Sequence, residues 1–447
     1  MSGSIDELHR RLADREADIG VIGLGYVGLP LALEFIEAGF DVAGFDIDLG
    51  RVDRLLHADS YVDDVSDGAV QEGLDAGFTP GAEPKTVADC DVYVIAVPTG
   101  MNGDEPRMDA VEAAAETVAE QSGPRETLVV VSSTVYPGAT REVVTPIVTD
   151  GRDTPIRLAM VPERLNPGGD VAFEEIPLVV GADTDIAREA AVELFDAVVT
   201  DTHPVNSTET AELAKTLENT YRMVNIALVN ELVTLAEGLE GDVWDAIDAA
   251  ATKPFGFQPF YPGPGVGGHC IPIDPQFLAW RADQFGGELS FVRDAHRVNE
   301  QMPELVVDRL ETMLSARGIP PDDAVVVALG AAYKPNVGDT RNSPALRVAD
   351  RLDDRAQVSV VDPHVDAEGT ARRLLRSPEE ADLAGADAVV LLVDHDAFDL
   401  EYVGETAEFV FDTRNAMPDD CNADVVTLGE VIERSSWKPN VLSPTVD

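Results

Sequence analysis

Short apolar runs separated by helix-length amphipathic spacers constrain this chain more than any other feature. From Ile19 the runs are IGVIGLG (19–25), FDVAGFD (40–46), DVYVIAVP (91–98), TLVVVSS (127–133) and RLAMVPE (157–163). Runs this short, without polar alternation and bounded by Gly, Pro and Asp, predict strands buried on both faces. The spacers predict the crossover helices of βαβ units. The pattern stops near residue 200 and resumes with AVVVALG (324–330), QVSVVD (357–362), DAVVLLVD (387–394) and EFVFD (408–412). Between the blocks, Leu213, Leu217, Tyr221, Val224, Leu228, Leu232 and Leu235 recur at spacings of three and four. They predict one long amphipathic helix from Ser207 to about Gly238, with Ser207 or Thr208 as its cap. A helix of this kind is expected to pack against its copy, in a homodimer or a higher homo-oligomer. The 447 residues exceed one ordinary domain, and the expected division is 1–205, 206–315 and 316–447.

The charge excludes several function classes. There are 83 acids against 32 bases, a formal net charge of −51, the opposite of a nucleic-acid binder. The acids are spread along the chain and do not form a tail. That favours a surface adapted to high salt, where self-repulsion is screened within about 3 Å at 1 M. Lysine is scarce (Lys85, Lys215, Lys253, Lys334 and Lys438), so each lysine is a stronger functional candidate than usual. Cys90, Cys270 and Cys421 are few, odd in number and far apart. They predict no disulfide framework, no metal site and a reducing, cytoplasmic setting. No apolar leader or membrane-length run is present in the sequence.

Gly23, Gly25 and Gly28 form G-x-G-x-x-G directly after the first strand run. The first glycine makes the turn, the second admits a pyrophosphate and the third packs helix on strand. Asp46 ends the second run, placed for the ribose hydroxyls, and an acid there favours NAD over NADP. The fold class that follows is α/β, with two Rossmann-like doubly wound domains joined by a long central helix.

Four other places carry candidate chemistry. Lys215 and Asn219, at i and i+4, share a helix face off the leucine stripe. They form either a solvated polar face or a cation and amide aimed at a developing oxyanion. Glu163 and Arg164 follow a strand run in VPERLNPGG, where α/β sheets place ligands, and Glu163 is either a base or half of a surface ion pair. Cys270 lies in GPGVGGHCIPIDP (263–275), either a nucleophile or a small buried apolar group. Its glycines would let a ligand approach, and Asp274 follows four residues later. Lys334 and Arg341, in AAYKPNVGDTRNSPAL (331–346), suit phosphate groups.

Taken in order, GLGYVGLP, SSTVYPGAT, PERLNPG, AELAKTLENTYR, GPGVGGHCIPIDP and AYKPNVGDTR resemble the UDP-glucose/GDP-mannose dehydrogenase family over residues 17 to 430. The resemblance implies a four-electron oxidation of C6 of a UDP-sugar by two NAD, through a thiohemiacetal and a thioester on a cysteine. It implies that Cys270 is the nucleophile, that Lys215 and Asn219 stabilise oxyanions and position water, and that Asp274 supports Lys215 and the hydrolytic water. Glu163 matches the general base, and Thr134 the threonine near the nicotinamide and the water. Tyr26, Val27, Arg51, Thr99 and Arg341 join the glycines and Asp46 around the cofactor. Arg164, Gly267 and Lys334 join Lys215 and Asn219 around the substrate. The UDP-glucose pattern has a phenylalanine and a second glutamate where this chain has Arg164 and Pro167. PERLNPG therefore points to UDP-N-acetylhexosamines, with UDP-N-acetylglucosamine first, its galacto and manno epimers next and UDP-glucose behind. Two readings of other kinds remain at this stage: a non-catalytic sugar-nucleotide sensor, and a two-electron hydroxyacid dehydrogenase that needs no cysteine.

Overall fold

The structure, a computed structural model, describes residues 7–430 apart from 63, 165–170, 240, 367–369, 371 and 373. The position of Pro167 lies outside the described residues. In chain order the strands are β1 (Asp18–Ile22), β2 (Asp41–Phe45), β3 (Thr79–Gly81), β4 (Val92–Ile95), β5 (Gly100–Asn102), β6 (Glu105–Arg107), β7 (Thr127–Val131), β8 (Ile156–Met160), β9 (Leu178–Gly181) and β10 (Thr202–Val205). They continue with β11 (Val325–Leu329), β12 (Gln357–Val361), β13 (Leu374–Leu375), β14 (Ala388–Leu391), β15 (Phe409–Asp412) and β16 (Asp424–Thr427). The chain divides into two compact units, residues 1–219 with 273–289 and residues 220–272 with 290–447.

The first unit is built on the sheet β10-β9-β8-β7-β4-β1-β2-β3, parallel except where β9 meets β8. Both faces are apolar. Val92, Val94, Leu128 and Val130 point into one core, while Tyr93, Ile95, Val129 and Val131 point into the other. Burial on both sides explains why the runs show no polar alternation. Strand order reverses between β1 and β4, so the carboxyl ends of these two strands open a crevice at the switch point. The second unit repeats the plan in an all-parallel sheet, β13-β12-β11-β14-β15-β16, with its switch point between β11 and β14.

The central helix is one element, Thr208–Ala236, but its inward face is the opposite of the one its leucines suggest. Leu213, Leu217, Tyr221, Leu228, Leu232 and Leu235 are exposed. Glu212, Lys215, Thr216, Thr220, Asn230 and Glu237, at the following end, are buried. Each unit satisfies the polar groups it encloses. In the first, the Glu212 carboxylate accepts from the backbone N–H groups of Gly138 (2.5 Å) and Thr140 (2.8 Å). In the second, Asn230 donates to Asn299 Oδ1 at 2.9 Å and accepts from Gly263 N at 3.0 Å. Arg309 forks onto Glu237 with two bonds of 2.5 Å. Buried polar atoms are tolerated when partnered in this way.

Candidate active site

The cofactor loop follows β1. Gly23 has φ +90°, and a Cβ there would stand 2.6 Å from the Ala96 carbonyl oxygen, across the switch point. A Cβ on Gly28 would stand 1.8 Å from the Gly23 carbonyl, so the first helix can start so close to the turn only with glycine. Gly25 differs: the nearest atom to its missing Cβ is Arg51 Nη1 at 3.9 Å, leaving its backbone open to a ligand. Asp46 is buried and accepts from Leu24 N (2.8 Å) and Asp48 N (2.9 Å), with Arg51 Nη1 at 3.6 Å. Arg51 also lies over the Tyr61 ring at 5.4 Å. Thr99 Oγ1 donates to the Thr134 carbonyl at 2.6 Å and so joins the segments leaving β4 and β7. Tyr26 is exposed, and Val27 precedes the helix Gly28–Glu37. An open second glycine, a tight first and third, and an acid at the end of β2 fit a dinucleotide.

The first unit also gathers four polar side chains from three elements. Lys215 and Asn219 come from the buried face of the central helix, Glu163 from the segment after β8, and Asp274 from the helix Cys270–Gln284. Asn219 Nδ2 donates to Asp274 Oδ2 at 2.6 Å. Lys215 Nζ lies 3.9 Å from Glu163 Oε2, too far for a hydrogen bond, and Glu163 Oε1 has no hydrogen-bond partner. Burial pushes Glu163 up to about 7, a rise that Lys215 opposes and Asp274 reinforces. Burial also lifts Asp274, to about 6, against the pull of Lys215 and the Asn219 amide. One buried cation faces two carboxylates, so the cluster holds a proton up to near neutral pH. Glu163 and Val27 line one small pocket with Ser132 and Phe173, which sets the carboxyl group beside the cofactor loop.

Arg164 does not pair with Glu163. It forks onto Glu218 of the central helix at 2.6 and 3.3 Å, and Nη1 reaches the Pro177 carbonyl at 2.5 Å. Thr134 follows β7, partly buried.

The cysteine run corrects one expectation, that its glycines leave room for a ligand. Cys270 is the exposed first residue of the 15-residue helix Cys270–Gln284 and does not lie within a loop. A helix N-terminus favours a thiolate, and the i to i+4 spacing puts Asp274 one turn further on. The glycines before it meet protein atoms. A Cβ on Gly267 would lie 2.7 Å from both Pro344 and Tyr333, and Gly268, at φ +80°, would meet the Tyr333 ring at 3.0 Å. Gly268 N donates to the Arg341 carbonyl at 2.9 Å, and Asn342 Nδ2 donates to the Gly268 carbonyl at 3.0 Å. Glycine is needed here for packing on the loop after β11.

In the second unit, Lys334 and Tyr333 line a small crevice with Gly265, Leu392, Val393 and Arg414, at the switch point of the sheet. Arg341 forks onto its own neighbour Asp339, at 2.6 and 2.9 Å. Arg414 was not singled out from the sequence. Its Nε donates to Asp394 at 2.9 Å, and Asp412 holds its backbone N–H at 2.8 Å. The signal was available: Arg414 lies two residues past the end of the EFVFD run, where the carboxyl-edge rule that picked out Glu163 applies. Among the described residues no three His, Cys, Asp or Glu side chains form a metal-binding group, and no helix is long and apolar enough to cross a membrane.

Two Rossmann-like sheets and a buried lysine–carboxylate cluster beside an NAD loop define an NAD-dependent oxidoreductase. Sequence models of three domains match the chain: an NAD binding domain over residues 17–199, a central domain over 209–301 and a UDP binding domain over 327–419. The chain belongs to the UDP-glucose/GDP-mannose dehydrogenase family. It is 34% identical over 413 residues to the UDP-N-acetyl-D-mannosamine dehydrogenase of Pyrococcus horikoshii, covering 89% of this chain and 95% of that one. It is 31% identical over 423 residues to the UDP-N-acetyl-D-glucosamine 6-dehydrogenase of Pseudomonas aeruginosa, covering 91% and 98%. The solved structure of the Pyrococcus horikoshii dehydrogenase superposes with a TM-score of 0.83 at 32% identity, over 92% of this chain and 99% of that one.

Proposed function

We propose that this protein oxidises C6 of a UDP-N-acetylhexosamine from alcohol to carboxylate, through a thioester on Cys270. The observation that carries the reading is the group of buried Lys215 and Asp274 with half-buried Asn219 and Glu163, a cation and an amide set against two carboxylates that burial raises above their usual range. Glu163 is the base that takes the C6 hydroxyl proton, a role suited to a carboxyl group poised near 7. The Cys270 thiolate adds to the aldehyde carbon, and the covalent bond keeps the intermediate in place between the two oxidations. Lys215 and the second N–H of Asn219 stabilise the oxygen that becomes anionic, while Asp274 orients Asn219 and, with Thr134, the hydrolytic water. Water then cleaves the thioester, releasing the uronate and restoring the thiol. Gly23, Gly25, Tyr26, Val27, Gly28, Asp46, Arg51 and Thr99 would hold NAD, which would supply the hydride acceptor, with a fresh NAD exchanged in for the second oxidation.

Lys334 and Arg414 suit the UDP phosphates, Arg341 suits a substrate or cofactor phosphate, and Gly267 shapes the wall next to Tyr333. Arg164, fixed by Glu218, stands near Glu163 where an acetamido group would have to be accommodated. We infer UDP-N-acetylglucosamine as the first substrate. UDP-N-acetylmannosamine is the second reading, favoured by the name carried by the 34%-identical relative. We assign residues 1–205, 206–315 and 316–447 to cofactor binding, to the central helix with the cysteine, and to UDP binding. The exposed leucine face supports a homodimer. The charge of −51 supports a salt-adapted cytoplasmic enzyme, whose melting temperature against KCl tests that part. The uronate would serve as a precursor of surface polysaccharide, which loss of uronate from the cell-surface glycan of a deletion strain would test.

The deciding experiment follows NADH at high salt against UDP-N-acetylglucosamine, its manno and galacto epimers, and UDP-glucose. Two NADH per sugar are expected with an N-acetylated substrate. One NADH per sugar would sink the thioester route, and binding without turnover would leave a sensor.

A further inference from the structure

Lys334 lies in a loop whose shape is set by residues outside it. Residues 331–343 leave β11 and return to the helix Pro344–Asp353. At the base, the backbone N–H groups of Ala331 and Ala332 donate to Oδ2 of Asp362 at 2.7 and 3.0 Å. At the return, Ser343 Oγ donates to the Ala331 carbonyl at 2.7 Å and caps the helix. Two residues beyond Lys334, the backbone N–H of Asn336 donates to Nδ1 of His395 at 3.0 Å. The Asn336 side chain exchanges bonds of 2.8 and 2.9 Å with Asp396. Lys334 is therefore held between fastened residues on both sides.

His395 is fully buried. Because Nδ1 accepts, the ring proton sits on Nε2, which donates to Asp362 Oδ2 at 3.1 Å. The imidazole thus bridges the end of β12 to the far side of the loop. Burial pushes Asp362 up, but His395 and the backbone N–H groups outweigh it and hold the carboxyl well below its usual range. The His364 ring stands 4.9 Å away and Phe398 packs edge-on at 5.2 Å. On its own segment, Asp394 is taken by Arg414 and Asp396 by Asn336.

We propose that His395 is a positioning residue for UDP-sugar binding, bridging Asp362 to the Asn336 N–H so that Lys334 is set before the phosphates arrive. The inference rests on the phosphate role given to Lys334. A loop ordered beforehand spares the ligand the cost of ordering it, so the effect falls on binding and leaves the chemical step alone.

The two arms of the imidazole can be removed separately. His395→Asn keeps an acceptor near the Nδ1 position, and His395→Gln keeps a donor near Nε2. His395→Ala and His395→Gln are expected to raise KM for the UDP-sugar about tenfold, with kcat and KM for NAD within about twofold. His395→Asn is expected to recover KM to within about threefold of the parent. Equal KM values for the Asn and Gln variants, or a fall in kcat that tracks the rise in KM, would overturn the proposal. Lys334→Ala separates the two layers. If it leaves KM for the UDP-sugar unchanged, the phosphate reading fails. If it raises KM while His395→Ala does not, the positioning role fails and the phosphate reading stands.

Discussion

The two units build the same turn and use it differently. After β1, Gly23 takes φ +90° and its N–H bonds the Phe45 carbonyl, while Leu24 N bonds Asp46 at the end of β2. After β11, Gly330 takes φ +104° and its N–H bonds the Val361 carbonyl, while Ala331 N bonds Asp362 at the end of β12. Both glycines press on the strand across the switch point, on Ala96 and on Val393. The loops then part. In the first unit the helix begins at Gly28, five residues after the turn, and an open glycine leaves bare backbone at the crevice. In the second the helix waits until Pro344, and the intervening loop carries Tyr333, Lys334 and Arg341. A backbone cradle suits a pyrophosphate that must lie against a helix start. A side-chain cradle places charge further from the sheet, and it needs external fastening because its shape is not set by a helix.

The largest expected effect tests the chemistry attached to the first turn. Glu163→Gln should lower kcat about 10²–10⁴-fold. In the parent enzyme kcat/KM should rise with pH through about 7, as Glu163 loses its proton, and the variant should lose that limb. The stability sign runs the other way. The folded carboxyl keeps a proton that the unfolded chain releases above 4.5, so stability falls as pH rises from there through about 7. Urea midpoints across that window should show the slope shrink in Glu163→Gln.

The shared turn is broken by Gly23→Ala and Gly330→Ala. Each adds a Cβ within 2.6 Å of neighbouring atoms at a positive φ, and each should cost roughly 2–4 kcal/mol in denaturant titrations. A loss confined to one of them would show that the two turns are not equivalent. The difference between the loops is sharpened by Gly25→Ala and Lys334→Ala. The first should raise KM for NAD about tenfold with little change in stability, and the second KM for the UDP-sugar about 10–100-fold. A crossed result, each variant affecting the other ligand, would overturn the division of labour. Smallest in catalytic terms is Leu217→Glu with Leu228→Glu on the exposed helix face. Light scattering should show loss of the proposed dimer, with the fold of each unit retained by circular dichroism.

Much of the first unit was legible because its strands are buried on both faces and write themselves as apolar runs. The glycine spacing and Asp46 were legible because the turn permits few alternatives. The short edge strands β3, β13 and β16 and the hairpin of β5 and β6 were not, since two to four residues carry too little pattern to stand out. Cys270 was visible as a chemical residue, but its place at a helix start was hidden behind Pro272 and Pro275, which read as breakers. Pro272 falls in the first turn, where a missing N–H costs little.

Sequence alone determined the two α/β sheets, the dinucleotide loop, the long central helix and the candidate residues on which the proposed chemistry rests. Periodicity established that the helix has an apolar face and a polar face. Which face turns inward was decided only by tertiary structure: the leucines stay outside, and Met223, Val229 and Val233 are buried together with Glu212, Lys215 and Asn230. Lys215 and Asn219 are enclosed because Glu163 and Asp274, distant in sequence, meet them there, and Glu237 because Arg309 does. Burying a charge is tolerable only with its partner in place. The partners are set by the fold, and no window of local sequence contains them.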